Sequence, residues 1–110
     1  VFAHRAGLEV IASGGIRNPL DVVCALALGA EAAALALPFL RAHAEAGEAG
    51  VFEVAQRLSE GVRALLLLTG ARRVRELRDR PRWLGPELRA WLEIPDAPPP
   101  EVGAPWRAVH

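Results

Sequence analysis

The 110-residue chain has a single cysteine, Cys24, and no lysine. A lone thiol excludes an internal disulfide, argues against a thiolate metal site and fits a reducing compartment. Aromatic residues supply only 5% of the chain, so its apolar content is mainly alanine, leucine and valine, which suits helices packed closely on strands. Charge of one sign is also lacking. Thirteen arginines face 13 Asp+Glu for a formal net charge of zero, which removes the broad electrostatic case for a nucleic-acid partner. No apolar run approaches the roughly twenty residues that cross a bilayer. The start shows neither methionine nor the pattern of a signal peptide. The expectation is a cytoplasmic fragment of a larger protein, without a membrane segment.

What is present is apolar and rhythmic. The hydrophobic fraction of 52% implies a packed core, and the length corresponds to one domain. Val10-Ile11-Ala12-Ser13 runs into Gly14-Gly15-Ile16-Arg17, and Ala32-Ala33-Ala34-Leu35-Ala36-Leu37-Pro38 follows about twenty residues later. Residues 8–13 and 31–37 read as buried parallel strands, the second with small apolar residues that suit burial on both faces. Between them, Asn18 is placed to cap a helix, Pro19 suits its first position, and Asp21 complements its dipole. That helix is expected to run to about Leu28, with Gly29 as its left-handed cap. Its apolar residues lie nearly all round, which predicts cover on more than one side.

Pro38 is expected to end the second strand, followed by a short helix to about Ala46 and a turn over residues 47–50. Residues 51–69 then form an amphipathic helix, with Val51, Val54, Ala55, Leu58, Val62, Leu65, Leu66 and Thr69 on its apolar stripe. Gly70 caps it. Residues 74–80 and 86–92 read as short helices, and the segment holding Pro98-Pro99-Pro100 as an extended tail. Two parallel strands are fewer than a stable sheet needs. The fold class is therefore α/β, the carboxyl-terminal portion of a (β/α)8 barrel: two parallel strands with helices. The expected division is 1–92 for the barrel portion and 93–110 for the proline-rich tail.

The chemistry sits at the two strand ends. Backbone N–H groups bind phosphate where no side chain obstructs them, and Gly14 and Gly15 provide that access with their freedom at positive φ. The helix start behind them adds partial positive charge, and Arg17 adds a charge-assisted contact. In β/α barrels, the loops after strands seven and eight form a recurring phosphate site. The same glycine pair also reads as a tight strand-to-helix turn with no ligand.

The wider pattern is more specific. Ile11-Ala12-Ser13-Gly14-Gly15-Ile16-Arg17, Leu20-Asp21-Val22, Ala25-Leu26-Ala27-Leu28-Gly29-Ala30 and Ala36-Leu37-Pro38-Phe39-Leu40 resemble the carboxyl end of the type 2 isopentenyl-diphosphate isomerases. The resemblance continues through Gly47-Glu48-Ala49-Gly50-Val51, Leu68-Thr69-Gly70-Ala71-Arg72 and Val74-Arg75-Glu76-Leu77, and leaves the tail uncovered. It implies a flavin-dependent β/α barrel of isoprenoid biosynthesis that interconverts isopentenyl and dimethylallyl diphosphate. Reduced FMN and Mg²⁺ are implied as cofactors, NADPH as a reductant, and a homo-oligomer, tetramer or octamer, as the assembly. By position, Gly15, Ile16, Arg17, Ala36 and Leu37 would meet the FMN phosphate, with Gly14 as their neighbour. Pro19 departs from a glycine common in the family, Cys24 from a polar residue, and Leu37 from the glycine or arginine of several flavin barrels. The rival resemblance is to FMN-dependent α-hydroxy-acid oxidases, which place an aspartate where this chain has Ser13. A noncatalytic truncated fragment is the alternative of a different class.

Other residues offer less. His4, His43 and His110 show no metal-ligand spacing. Cys24 reads as a buried inert thiol, Ser13 as a strand-end hydrogen bonder, and Trp83, Trp91 and Trp106 as anchors for the final helices or an oligomer. Arg72, Arg73, Arg75, Arg78, Arg80 and Arg82 read as a solvated, ion-paired face or a diphosphate contact. No catalytic acid–base pair and no metal ligand is expected within the chain. The resemblance puts the substrate and Mg²⁺ ligands before Val1.

Overall fold

A computed structural model describes residues 7–92, so residues 1–6, the tail over 93–110, His4, His110 and Trp106 lie outside the described residues. The elements in chain order are β1 (Ile11–Ala12), α1 (Pro19–Ala27), β2 (Ala32–Ala33), α2 (Leu37–Thr69), a 3₁₀ helix (Val74–Asp79) and α3 (Pro86–Leu92).

The strands pair in parallel, Ile11 opposite Ala32 and Ala12 opposite Ala33. The ladder extends through Glu31 N–H to the Val10 carbonyl and Ala34 N–H to the Ala12 carbonyl, both 2.8 Å. Each strand is shorter than its apolar run because pairing, not hydrophobicity, defines a strand. The period-two pattern nevertheless outlasts the ladder: Val10, Ala12, Ala33 and Leu35 are half-buried, whereas Ile11, Ala32 and Ala34 are exposed. Burial on both faces is thus corrected. Helices cover one side, and Ile11 is 64% exposed on the other.

Local chemistry sets both ends of α1. The Asn18 side chain accepts from the Asp21 N–H at 2.9 Å, and Pro19 fills a first-turn position that needs no donor. At the other end, Gly29 has φ +110°. Its N–H reaches the Leu26 carbonyl, while the Ala30 N–H reaches that of Ala25, each at 3.1 Å, closing a Schellman motif. Gly70 ends α2 with the same pair of bonds, to Leu67 and, from Ala71, to Leu66. The cover expected on more than one side of α1 is present, since α2, the 3₁₀ helix and β2 all contact it, and what stays open is one stripe. Val23 and Leu26 are buried, whereas Leu20 is 56% exposed and Cys24 is exposed.

Helix α2 starts at Leu37, so Leu37 is a helical residue and not the end of β2, and Pro38 belongs to the first turn. Gly47, at φ +61° and ψ −144°, bends the helix sharply. The expected turn over residues 47–50 therefore reduces to one residue, and helix resumes before Val51. Gly50 is buried where the two arms meet, and a Cβ there would strike the Ala42 carbonyl, whose carbon lies 3.1 Å away. Along the second arm, Val51, Val54, Leu58, Val62, Leu65 and Leu66 are half-buried at helical spacing, whereas Ala55 and Thr69 are exposed.

The core is small. Val23, Leu26, Ala71 and Leu77 are buried together, with Val22, Ala27, Val62, Leu65 and Leu66 packed around them. The segment after Gly70 is 3₁₀ rather than α-helical, and it inserts Leu77, only 2% exposed, between α1 and α2. Three of the clustered arginines are staples within the chain. Arg78 binds the Glu31 carboxylate at 2.7 Å and the Ala30 carbonyl at 3.3 Å. Arg80 binds the Gly70 carbonyl, and Arg82 that of Arg78.

Candidate functional site

The mouths of the two strands open on one side of the sheet. Leaving β1, the chain turns through Gly14 at φ +82° and Gly15 at φ +87°. Side chains avoid this region because the Cβ crowds the carbonyl oxygen. A Cβ built on either glycine meets nothing within 4 Å, so both open onto free space. The second mouth passes directly into α2, with Ala36 as an N-cap that supplies no side-chain hydrogen bond. Ala36 and Leu37 therefore present amides at a helix start, where no intrahelical acceptor exists.

Residues 13–17 and 34–37 surround one cavity of about 230 Å³. It gathers Gly14, Gly15, Ile16, Arg17, Ala36 and Leu37, all six of the residues singled out from the sequence, and adds Ser13, Ala34 and Leu35. The three additions follow from chain continuity along the strand ends. Ser13 is exposed at the rim, consistent with a strand-end polar residue.

The amides around this cavity differ in their commitments. Those of Gly14, Gly15 and Ile16 have no hydrogen-bond partner among the described residues. The Arg17 amide donates to Asp21 Oδ2 at 2.9 Å, so it is withdrawn from any anion. Arg17 can therefore serve the cavity only through its guanidinium, which is exposed and makes no ion pair among the described residues. Asp21 is a residue whose larger role the sequence reading missed. An aspartate three positions after an N-cap is the available signal, since its carboxylate can reach back to the loop.

The donor set fits the anionic tail of FMN. Phosphate oxygens take N–H donors, and this cavity has partnerless backbone donors with one cationic side chain beside them. It does not fit acid–base catalysis. Ser13 and Arg17 are its polar side chains, and neither has a basic or acidic partner within the cavity. His43 is exposed on α2 and is not among the residues lining it. Among the described residues, no group of three or more His, Cys, Asp or Glu side chains is placed to hold a metal ion. No described helix is long and apolar enough to cross a membrane. Cys24 is a free, exposed thiol, which corrects the expectation of a buried one.

The family model for FMN-dependent dehydrogenases matches residues 1–83. The chain is also similar to proteins named isopentenyl-diphosphate delta-isomerase. That of Archaeoglobus fulgidus is 39% identical over 90 residues, 82% of this chain and 26% of the relative. The Staphylococcus haemolyticus protein is 35% identical over 91 residues, covering 83% of this chain and 26% of its own. The Pyrobaculum arsenaticum protein reaches 46% over 84 residues, with shares of 76% and 23%. The chain spans about a quarter of the length of the curated relatives it matches.

Proposed function

Because the chain belongs to the FMN-dependent dehydrogenase family, we propose that it supplies the FMN phosphate cradle of an isopentenyl-diphosphate isomerase. The observation that carries this reading is the convergence of Gly14, Gly15, Ile16, Arg17, Ala36 and Leu37 on one cavity, with uncommitted amides at Gly14, Gly15 and Ile16. Residues 1–92 would form the last part of a β/α barrel, whose loops after the final strands commonly hold phosphate. Residues 93–110 would be an appended tail. Similarity to proteins named as isomerases supports this activity over oxidation of α-hydroxy acids. Ser13, in place of the aspartate of the oxidase group, agrees.

The reaction is a shift of one double bond: a proton is added at one end of the allylic unit and another is lost from the far carbon. Bound FMN would supply the proton-transferring group for that exchange. The residues described here would act before it. Gly14, Gly15 and Ile16 would bind the phosphate, Arg17 would neutralise part of its charge, and the start of α2 would close the second side. Together they would fix the position of the ring without touching it. Among the described residues no three-ligand set for the implied Mg²⁺ is present, and no role toward it is proposed for them. NADPH as reductant, an oligomeric assembly and a cytoplasmic location complete the proposal.

The test uses the protein expressed as its gene encodes it. FMN should bind, and reduced FMN should support conversion of isopentenyl to dimethylallyl diphosphate. Gly15→Val should lower FMN affinity by more than about tenfold, because each charge-assisted hydrogen bond is worth about 1.5–3 kcal/mol. Unchanged FMN retention in that variant would overturn the assignment.

A further inference from the structure

We propose that Asp21 is a positioning residue for the phosphate cradle, acting through the Arg17 amide; the inference rests on the FMN reading above. The Asp21 carboxylate accepts from the Arg17 N–H at 2.9 Å, while the Asp21 N–H donates to Asn18 Oδ1, also at 2.9 Å. These two bonds tie the first turn of α1 back to the residue that ends the glycine loop. At its other end the loop is held by the β ladder, where the Ala12 carbonyl accepts from Ala34. Between these anchors, the amides of Gly14, Gly15 and Ile16 have no partner among the described residues. Two successive glycines carry no side chain to wedge them in place, and glycine has the widest conformational freedom of any residue. The bond between Asp21 and Arg17 therefore limits how far the uncommitted amides can turn away from the cavity.

Charge argues for the same role. A carboxylate in the first turn of α1 repels a phosphate placed at that helix start, so electrostatics alone would favour a neutral residue here. Asp21 also removes the Arg17 amide from the donors available to an anion. Both effects oppose phosphate binding, and fixing the loop compensates for them. The anion is then held by the loop amides and the Arg17 guanidinium rather than by the first turn of α1. Geometry, not charge, is the contribution of Asp21.

The test measures FMN and riboflavin affinity by flavin fluorescence in the protein as its gene encodes it. Asp21→Ala should weaken FMN about tenfold, the equivalent of about 1.4 kcal/mol, and leave riboflavin, which lacks the phosphate, unchanged. Asp21→Asn keeps an acceptor for the Arg17 amide and should retain FMN affinity within about twofold, a span under 0.5 kcal/mol. If Asp21→Ala fails to fold, Asn18→Ala loosens the same ring from its other side and should weaken FMN but not riboflavin. Equal loss in Asp21→Ala and Asp21→Asn would show that an acceptor for the Arg17 amide does not preserve the cradle and would overturn the inference. So would full FMN affinity in Asp21→Ala, or in Asn18→Ala where that variant stands in for it. Wild-type protein that binds FMN no better than riboflavin would instead overturn the phosphate reading itself.

Discussion

Arg17 divides its labour between backbone and side chain. Its amide is committed to Asp21, whereas its guanidinium stands exposed at the cavity. Arg17→Ala should therefore leave the loop intact, with an unfolding midpoint close to wild type in urea. FMN affinity should fall about tenfold, and its salt dependence should flatten, because one charge-assisted contact is lost. Titration at two ionic strengths checks both. At Gly14, at φ +82° with open space beside it, the balance is reversed. Gly14→Ala meets no clash, so its cost is backbone strain of about 1–2 kcal/mol, read as a lower urea midpoint. The glycine pair, the Asn18 cap and the arginine were legible because each acts within a few residues. The engagement of the Arg17 amide was not, since Asp21 satisfied the simpler reading of a charge placed on a helix dipole.

At the scale of elements, α1 and α2 meet through a pair that explains a glycine in mid-helix. A Cβ on Gly61 would lie 2.7 Å from the Cβ of Pro19, at the first turn of α1. An exposed mid-helix Gly→Ala change ordinarily stabilises by about 1 kcal/mol. Gly61→Ala should instead destabilise by about 1–3 kcal/mol through overpacking. Pro19→Gly should restore part of that loss, and a double-mutant cycle in urea reads the coupling. Leu77, 2% exposed, should cost about 2–5 kcal/mol as alanine, and calorimetry would show the lowered midpoint. Helix ends at Gly29 and Gly70 were legible because each lies in a Schellman motif closed by neighbouring residues. Strand lengths were not, because a ladder depends on a neighbour that local sequence does not specify. The exposure of Cys24 was hidden for a related reason: a helix apolar nearly all round does not announce which side is covered.

Among the described residues, the buried cluster lies at the junction of α1, α2 and the 3₁₀ helix, while many large apolar residues elsewhere are exposed. Ile11, Leu67 and Leu68 are 64%, 81% and 82% exposed. The parallel strands and their two mouths, the first marked by glycines, were legible as a pattern, and the structure joins the mouths around one cavity. The short core was not legible, because an apolar stripe reads the same whether a neighbour covers it or not. The central claim is that backbone amides, and not a reactive side chain, grip the flavin through its phosphate. Proton–nitrogen correlation spectra of ¹⁵N-labelled protein, titrated with FMN and separately with riboflavin, test it most directly. The account predicts that FMN moves the amide protons of Gly14, Gly15 and Ile16 downfield, that riboflavin does not, and that the Arg17 amide changes least. FMN binding that leaves the Gly14, Gly15 and Ile16 resonances in place would contradict it.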